Sequence, residues 1–454
     1  MQDFGHQLPW WSVIPFVGIL LSIAILPLVA PHWWEKHLLK VALSWGVLFL
    51  IPFAIGFGAG AALYKILEVI LLDYLPFIIM LWGLFSVSGG IVLKGDLVGS
   101  PRVNLALIAI GTVLASWIGT TGASMLLIRP VIRANGWRKK KAHVVIFFIF
   151  LVSNIGGCLT PVGDPPLFLG FLRHVPFFWT MRLWPVLLFN AVILLFVLFI
   201  IDRHNYKMEL ANDNRPPASD TKTALKVEGL HNLIFLAMIV GAVILSGILS
   251  GFQRFTDQYT GTAKGIHLYE DIVFPWVSLI QISIIILAGI LSVITTKKSL
   301  REENQFTWGP IKEVASLFIG IFIAMIPALE ILHAKGADMG LIKPWQFFWS
   351  SGALSSFLDN APTYLVFLTT AGSLGNIYGV TTTIGVIAPN LLMAISAGSV
   401  FMGANTYIGN APNFMVRSIA EESGIKMPSF FGYLGWSLVF LIPLFLIDTF
   451  LFFR

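Results

Sequence analysis

Two stretches of this chain, far apart, carry one pattern: Thr160-Pro161-Val162-Gly163-Asp164-Pro165-Pro166-Leu167-Phe168 and Thr406-Tyr407-Ile408-Gly409-Asn410-Ala411-Pro412-Asn413-Phe414. Thr, Gly, Asp or Asn, Pro and Phe recur at the same spacing. Each copy lies inside a long apolar run, where a Gly, a Pro and a polar side chain all interrupt a helix at a cost. A duplicated, broken, polar segment in such surroundings implies a secondary transporter built from two repeats. It also implies a binding site where the breaks meet.

The surroundings are membrane-like. Of the 454 residues, 57% are hydrophobic and 11% charged, against about 25% charged in a soluble domain. Runs of about 20 apolar residues can cross a bilayer. They occur near 11–30, 38–59, 67–93, 143–172 and 181–201, and again near 230–250, 272–295, 309–333, 383–418 and 432–453. Two further stretches, 103–132 and 345–371, are interrupted at their centres and fit re-entrant hairpins better than spans. Met1 to Pro9 holds no Lys or Arg, so the first run reads as a retained span rather than a signal peptide. One cysteine, Cys158, excludes a disulfide framework within the chain and reads as a packing residue.

The hairpin centres also resemble each other: Gly111-x-x-x-Ala115-Ser116-Trp117-Ile118-Gly119-Thr120 against Gly352-x-x-x-Ser356-Phe357-Leu358-Asp359-Asn360. The order hairpin, broken helix, final span therefore occurs twice. The expected fold is all-α and polytopic: two inverted repeats of five spans plus one re-entrant hairpin each, with broken helices at the core. Residues 1–201 form the first repeat, 202–229 a cytoplasmic linker and 230–454 the second repeat.

Charge tests this topology. With both hairpins re-entering, ten crossings remain and both termini lie on one side. Placing the cluster Arg133, Arg138, Lys139, Lys140 and Lys141 inside puts the loops around 31–37, 94–102, 133–142, 202–229, 296–308 and 419–431 inside as well. Only Lys65, Arg173, Arg182, Arg254, Lys264, Lys335, Lys343 and Arg454, eight of the 29 basic residues, then fall outside. Both termini are expected to be non-cytoplasmic, in a cell (inner) membrane protein. The net charge of +6 belongs to this loop bias and is no sign of nucleic-acid binding.

Most acidic residues read as loop residues; Asp164 in the first break and Asp359 at the second hairpin tip do not. A carboxylate at mid-membrane costs about 3 kcal/mol on insertion scales and needs a polar cavity and a partner. It can hold a proton or a metal ion in turn, the requirement for cation/proton exchange. The plainer account is that each Asp caps a half-helix. Asn360 and Asn410 complete the expected cation- or proton-binding set. Thr120, Ser124, Thr160, Asn405 and Thr406, with the unwound backbone at Gly163 and Gly409, form a supporting shell of oxygens. Asp73, near the third span, is a further proton-path candidate beside Glu68, Glu313 and Glu330 at headgroup level. Arg129 is expected to snorkel to the surface, and His143 and His174 to be interfacial.

These motifs resemble a known group. Ser153-Asn154-Ile155-Gly156-Gly157-Cys158-Leu159-Thr160-Pro161-Val162-Gly163-Asp164-Pro165-Pro166 is similar to the central motif of the ion transporter superfamily, which holds arsenite permeases, NhaD-type sodium/proton antiporters and citrate or dicarboxylate transporters. Leu358-Asp359-Asn360-Ala361-Pro362 and Gly403-Ala404-Asn405-Thr406-Tyr407-Ile408-Gly409-Asn410-Ala411-Pro412-Asn413 resemble its second-half motifs. Where the dicarboxylate branch carries Ser-Asn-Thr at its hairpin tips, this chain has Ile118-Gly119-Thr120-Thr121 and Leu358-Asp359-Asn360. The resemblance implies a homodimer.

The leading expectation is sodium/proton antiport, with Na+ and H+ competing at Asp164 and Asp359 and no organic cofactor. The alternative is sodium- or proton-coupled symport of citrate or another carboxylate, the anion held at helix N-termini. An intramembrane aspartyl protease is disfavoured by the repeat and by the Asp164/Asn410 asymmetry. The chain has no Gly-x-x-x-x-Gly-Lys-Ser/Thr loop for ATP-driven pumping.

Overall fold

The computed structural model describes residues 4–95, 97–215, 226–257 and 262–454. It is an all-helical membrane protein. The helices are α1 (Ile14–Val29), α2 (Pro31–Phe57), α3 (Ala59–Glu68), α4 (Leu75–Ser88), α5 (Pro101–Ile118), α6 (Thr120–Ala134), α7 (Ala142–Leu151), α8 (Pro165–Leu172) and α9 (Trp184–Ala211), then α10 (Asn232–Leu249), α11 (Trp276–Thr295), α12 (Lys298–Glu303), α13 (Gly309–Lys335), α14 (Pro344–Phe357), α15 (Asn360–Gly372), α16 (Pro389–Phe401), α17 (Ala411–Glu422) and α18 (Phe430–Phe452). Among the described residues, three two-stranded β-hairpins or ribbons lie outside the helices. One of them pairs Val92–Lys94 with Lys226–Glu228 and so ties the segment before α10 to the segment after α4.

Ten helical stretches among the described residues are long and apolar enough to cross a membrane. Nine of them coincide with runs read as crossings; the tenth, Pro101–Ile118, takes the place in the count that the run 383–418 was expected to fill. Pro101–Ile118 qualifies by length, yet the chain reverses after it at Gly119, where φ is +81°, and α6 returns beside it. A bond from Gly99 N–H to Ala134 O, 2.7 Å, closes the mouth of this helical hairpin. Conversely the run 383–418 contains no long helix, because the strand Gly385–Ile387 occupies its start and the chain unwinds between α16 and α17. The run 67–93 falls mostly within one continuous helical stretch, Ala59–Ser88, in which a π-helical turn at Val69–Tyr74 joins α3 to α4.

The stretch 202–229 read as a linker is helical in its first ten residues. α9 continues through Asp202 to Ala211, and residues 216–225 of the linker lie outside the described residues. Asp202 itself is fully buried. Arg138 pairs with it at 2.5 Å, His143 Nε2 lies 2.8 Å away and Asn104 donates to it at 2.9 Å. His143, at the start of α7, is therefore part of a buried polar cluster. The sequence offered no cue, because Arg138 belongs to a run of basic residues that otherwise reads as solvated. Removing one member leaves a buried charge unpaired, so Arg138→Met should cost about 3 kcal/mol or more, read as a lower melting temperature in detergent.

The loops sort into two faces. On one, Lys94 bridges Glu228 and Glu303, Arg133 donates to Leu93 O, Arg129 donates to Gln305, and the Lys139 and Lys140 amides donate to Glu209. The Lys94 ammonium beside Glu228 holds that carboxyl below its usual range. On the other face, Lys335 donates to His6 O, Thr383 N–H to Arg173 O, and Phe453 stacks on Phe348 near the start of α14. The mouth of the α5–α6 hairpin lies among the first set of loops and that of α14–α15 among the second.

Burial follows composition. Val192, Phe196 and Ile200 on α9 and Leu438, Val439 and Phe450 on α18 stand outward, as lipid-facing residues do. In contrast, α7 is apolar on every side and buried from His143 to Leu151, so it forms the centre of the molecule. Small residues bring helices close where lipid supplies no driving force: a Cβ on Gly320 of α13 would meet Ala42 O of α2 at 2.4 Å.

Candidate functional site

α7 stops at Leu151 and the chain resumes as α8 at Pro165; α16 stops at Phe401 and resumes as α17 at Ala411. Pro165 and Pro412 sit in the first turn of the resumed helices, where a missing N–H is harmless but continuation from the preceding turn is blocked. The two breaks hold their hairpins in the same way. Thr160 Oγ1 donates to Ser116 O, and Thr406 Oγ1 to Ser356 O. Ser116 Oγ donates to Gly156 O at 2.5 Å and Ser356 Oγ to Met402 O at 3.1 Å. The hairpin serines are 240 residues apart, the paired break residues 246.

Gly163 and Gly409 are glycine because of close approach. Neither has a positive φ. A Cβ on Gly163 would fall 2.2 Å from Gly157 O, and one on Gly409 2.5 Å from Gly403 O.

Asp164 is at the junction of all four elements. It occupies the N-cap position of α8 in extended backbone, but its side chain makes no cap bond. Instead Oδ1 accepts from Thr120 Oγ1 at 2.8 Å and from Asn410 Nδ2 at 3.2 Å, and Oδ2 accepts from Asn360 Nδ2 at 2.6 Å. Thr120 N–H donates to Gly163 O at 2.8 Å, which seats the first hairpin tip on the first break. All four side chains are buried. Among the described residues no Lys, Arg or His forms an ion pair with Asp164. The carboxylate is held by three neutral donors, one from each of the other elements.

The remaining expected residues stand apart from this junction. Asp359 Oδ1 accepts from Ala361 N–H at 3.0 Å, so this residue caps α15. It is partly exposed, and it is its neighbour Asn360 that reaches Asp164. Ser124 shares a 2.9 Å bond with Ser153. Asn405 donates to Ser356 Oγ at 2.9 Å, and its Oδ1 is buried without a partner. The hydroxyls of Thr160 and Thr406 serve the hairpins. Asp73 is gripped by both Arg173 nitrogens at 2.8 Å, and Arg129 bonds Gln305 rather than any core carboxylate.

Besides Asp202 and Arg138, three buried groups were missed. Asp448, inside the last apolar run and visible there as the sole acid, accepts from Asn190 through both oxygens, at 3.0 and 2.8 Å. Asn154 and Asn413 connect the two breaks, Asn154 Nδ2 donating to Asn413 Oδ1 at 2.7 Å. Both lie within the quoted motifs, which was the available signal.

A cavity of about 100 Å3 adjoins Asp164. One wall is the tip Gly119–Gly122 with Pro161–Pro165 and the start of α17. The other is apolar, from Leu81, Leu84 and Phe85 of α4 and Ile311 and Val314 of α13. The N-termini of α6, α8 and α17 all reach it, and each adds partial positive charge favourable to an anion. No Lys or Arg lines it.

A search of curated proteins found no match to the chain. A family model does match, over residues 5–453: this chain belongs to the CitMHS_2 family, described as "Putative citrate transport".

Proposed function

We propose that this chain is a secondary active transporter in which Asp164 binds the coupling cation, H+ or Na+, and whose cargo is a carboxylate of the citrate class. The observation that carries the reading is the convergence on one cavity of a buried carboxylate with no basic partner and three helix N-termini. A cation at Asp164 neutralises the one negative group there, and the N-termini then favour an incoming carboxylate. The family description supports the same cargo.

The reciprocal packing of the halves supports inverted repeats. α15 packs on α8 and α6 packs on α17, each hairpin's second arm meeting the other half's resumed helix. The basic-loop face is then cytoplasmic, the termini non-cytoplasmic, and the halves divide at the linker between α9 and α10.

Sodium/proton antiport is the second reading, favoured by the lack of any Lys or Arg lining the cavity. There Asp164 and Asp359 would exchange Na+ for H+. One preparation of proteoliposomes separates the two. Labelled citrate should accumulate when an inward Na+ or H+ gradient is imposed. Sodium-driven proton movement without citrate, and no citrate uptake, would replace the first reading by the second.

A further inference from the structure

Asn410 has a second set of contacts beyond Asp164. Its Nδ2 also lies 3.1 Å from Ser153 O and 3.3 Å from Asn154 Oδ1. Its amino group thus faces three acceptors, and turning the amide over would bring oxygen against all of them. Asn154 is placed to enforce this. It is fully buried, and its own Nδ2 donates to Ile149 O at 2.8 Å, a carbonyl near the break in α7, and to Asn413 Oδ1 at 2.7 Å. Asn413 in turn donates to Gly403 O at 2.8 Å and Thr406 O at 2.9 Å, carbonyls at the other break. With both of its donors engaged, Asn154 has only its oxygen to offer Asn410.

This link does not follow the repeat. At the 246-residue offset of the breaks, Asn154 corresponds to Val400 and Asn413 to Leu167. Helix unwinding alone would be served by equivalent side chains in both halves. An asymmetric pair joining the two breaks beside Asp164, the carboxylate that only one break carries, is better explained by the site.

We infer that Asn154 is a positioning residue: with Asn413 it locks the Asn410 amide as a hydrogen-bond donor to Asp164, so that Asn410 tunes the carboxylate's cation affinity rather than ligating the cation through its oxygen. The inference rests on Asp164 being the coupling site. An outer partner of this kind typically changes affinity by about 10-fold or more when removed.

The test uses the reconstituted full chain and reads the cation concentration (pH, then Na+) giving half-maximal transport, with melting temperature beside it. Asn154→Ala should shift that midpoint by about 10-fold, in the same direction as Asn410→Ala. The double variant should shift it no further than Asn410→Ala alone, because the two act through one contact. Asn154→Ser, smaller in its disturbance, provides the same readout if the alanine variant does not fold. A role confined to packing would lower the melting temperature and the amount of active protein but leave the midpoint in place. A midpoint within twofold of wild type in folded Asn154 variants, or additive shifts in the double variant, would overturn the inference while leaving Asp164 intact. Full transport by Asp164→Asn would overturn both.

Discussion

Asp164→Asn should reduce cation-coupled transport by about 100-fold, the upper end of what loss of a metal-site group produces, while the protein still inserts and folds. The side chain is buried and receives Thr120, Asn360 and Asn410. An asparagine amino group in place of one oxygen sets donor against donor and costs about 1–3 kcal/mol locally, so a lower melting temperature is expected with the loss of transport. The measurement is tracer flux in proteoliposomes at matched protein incorporation. Asp359→Asn is the companion. Asn caps a helix as well as Asp does, and the bond to Ala361 N–H is the side chain's contact, so this variant should melt like wild type. A fall in its transport would then report the charge at 359 and not the cap. Undiminished coupling in both variants would remove the carboxylates from the mechanism.

Gly163→Ala should be more damaging to the fold than any loss of a single hydrogen bond. The added methyl would lie 2.2 Å from Gly157 O and 3.0 Å from Ser116 Cα. Both obstacles are backbone atoms, one in the break and one in the hairpin. Neither can turn aside as a side-chain end can, so the hairpin tip must lift off the break. The cost should be about 3 kcal/mol or more, at or above the top of the range for overpacking. Gly409→Ala meets Gly403 O at 2.5 Å and Ser355 O at 2.8 Å and should behave alike. Gly241→Ala, in α10 with open space around it, is the control and should lose nothing. Thermal unfolding in detergent ranks the three. Equal melting of Gly163→Ala and Gly241→Ala would show that the two backbones are not in contact.

What the sequence disclosed depended on whether a residue violates its local surroundings. Asp164 and Asn410 interrupt apolar runs, and the duplication fixed which positions correspond, so the breaks and hairpins were legible as elements. Contacts across the repeat were not. That Asn360 rather than Asp359 turns to Asp164 depends on a single reversal at the hairpin tip, where adjacent residues point to different sides. Asp202 and Arg138 were hidden by their company, each lying next to other charged residues at a span end. The buried role of Asn154 needed the second break to be seen. The span boundaries at 272 and 383 were misplaced because short β-strands there are as apolar as the helices they precede.

The two walls of the cavity differ in how they are joined. Hairpins and breaks are stitched to each other through Thr160, Thr406, Ser116, Ser356 and the Asp164 junction. The facing wall meets them beside the cavity with aliphatic and aromatic side chains alone. Directional bonds resist sliding, whereas apolar contacts exchange one neighbour for another at little net cost. The molecule thus has a seam, tied at one rim by Asp73–Arg173 and at the other by Arg129–Gln305. Any displacement that opens Asp164 to one face and then the other would meet least resistance along that seam, with those two pairs as its latches.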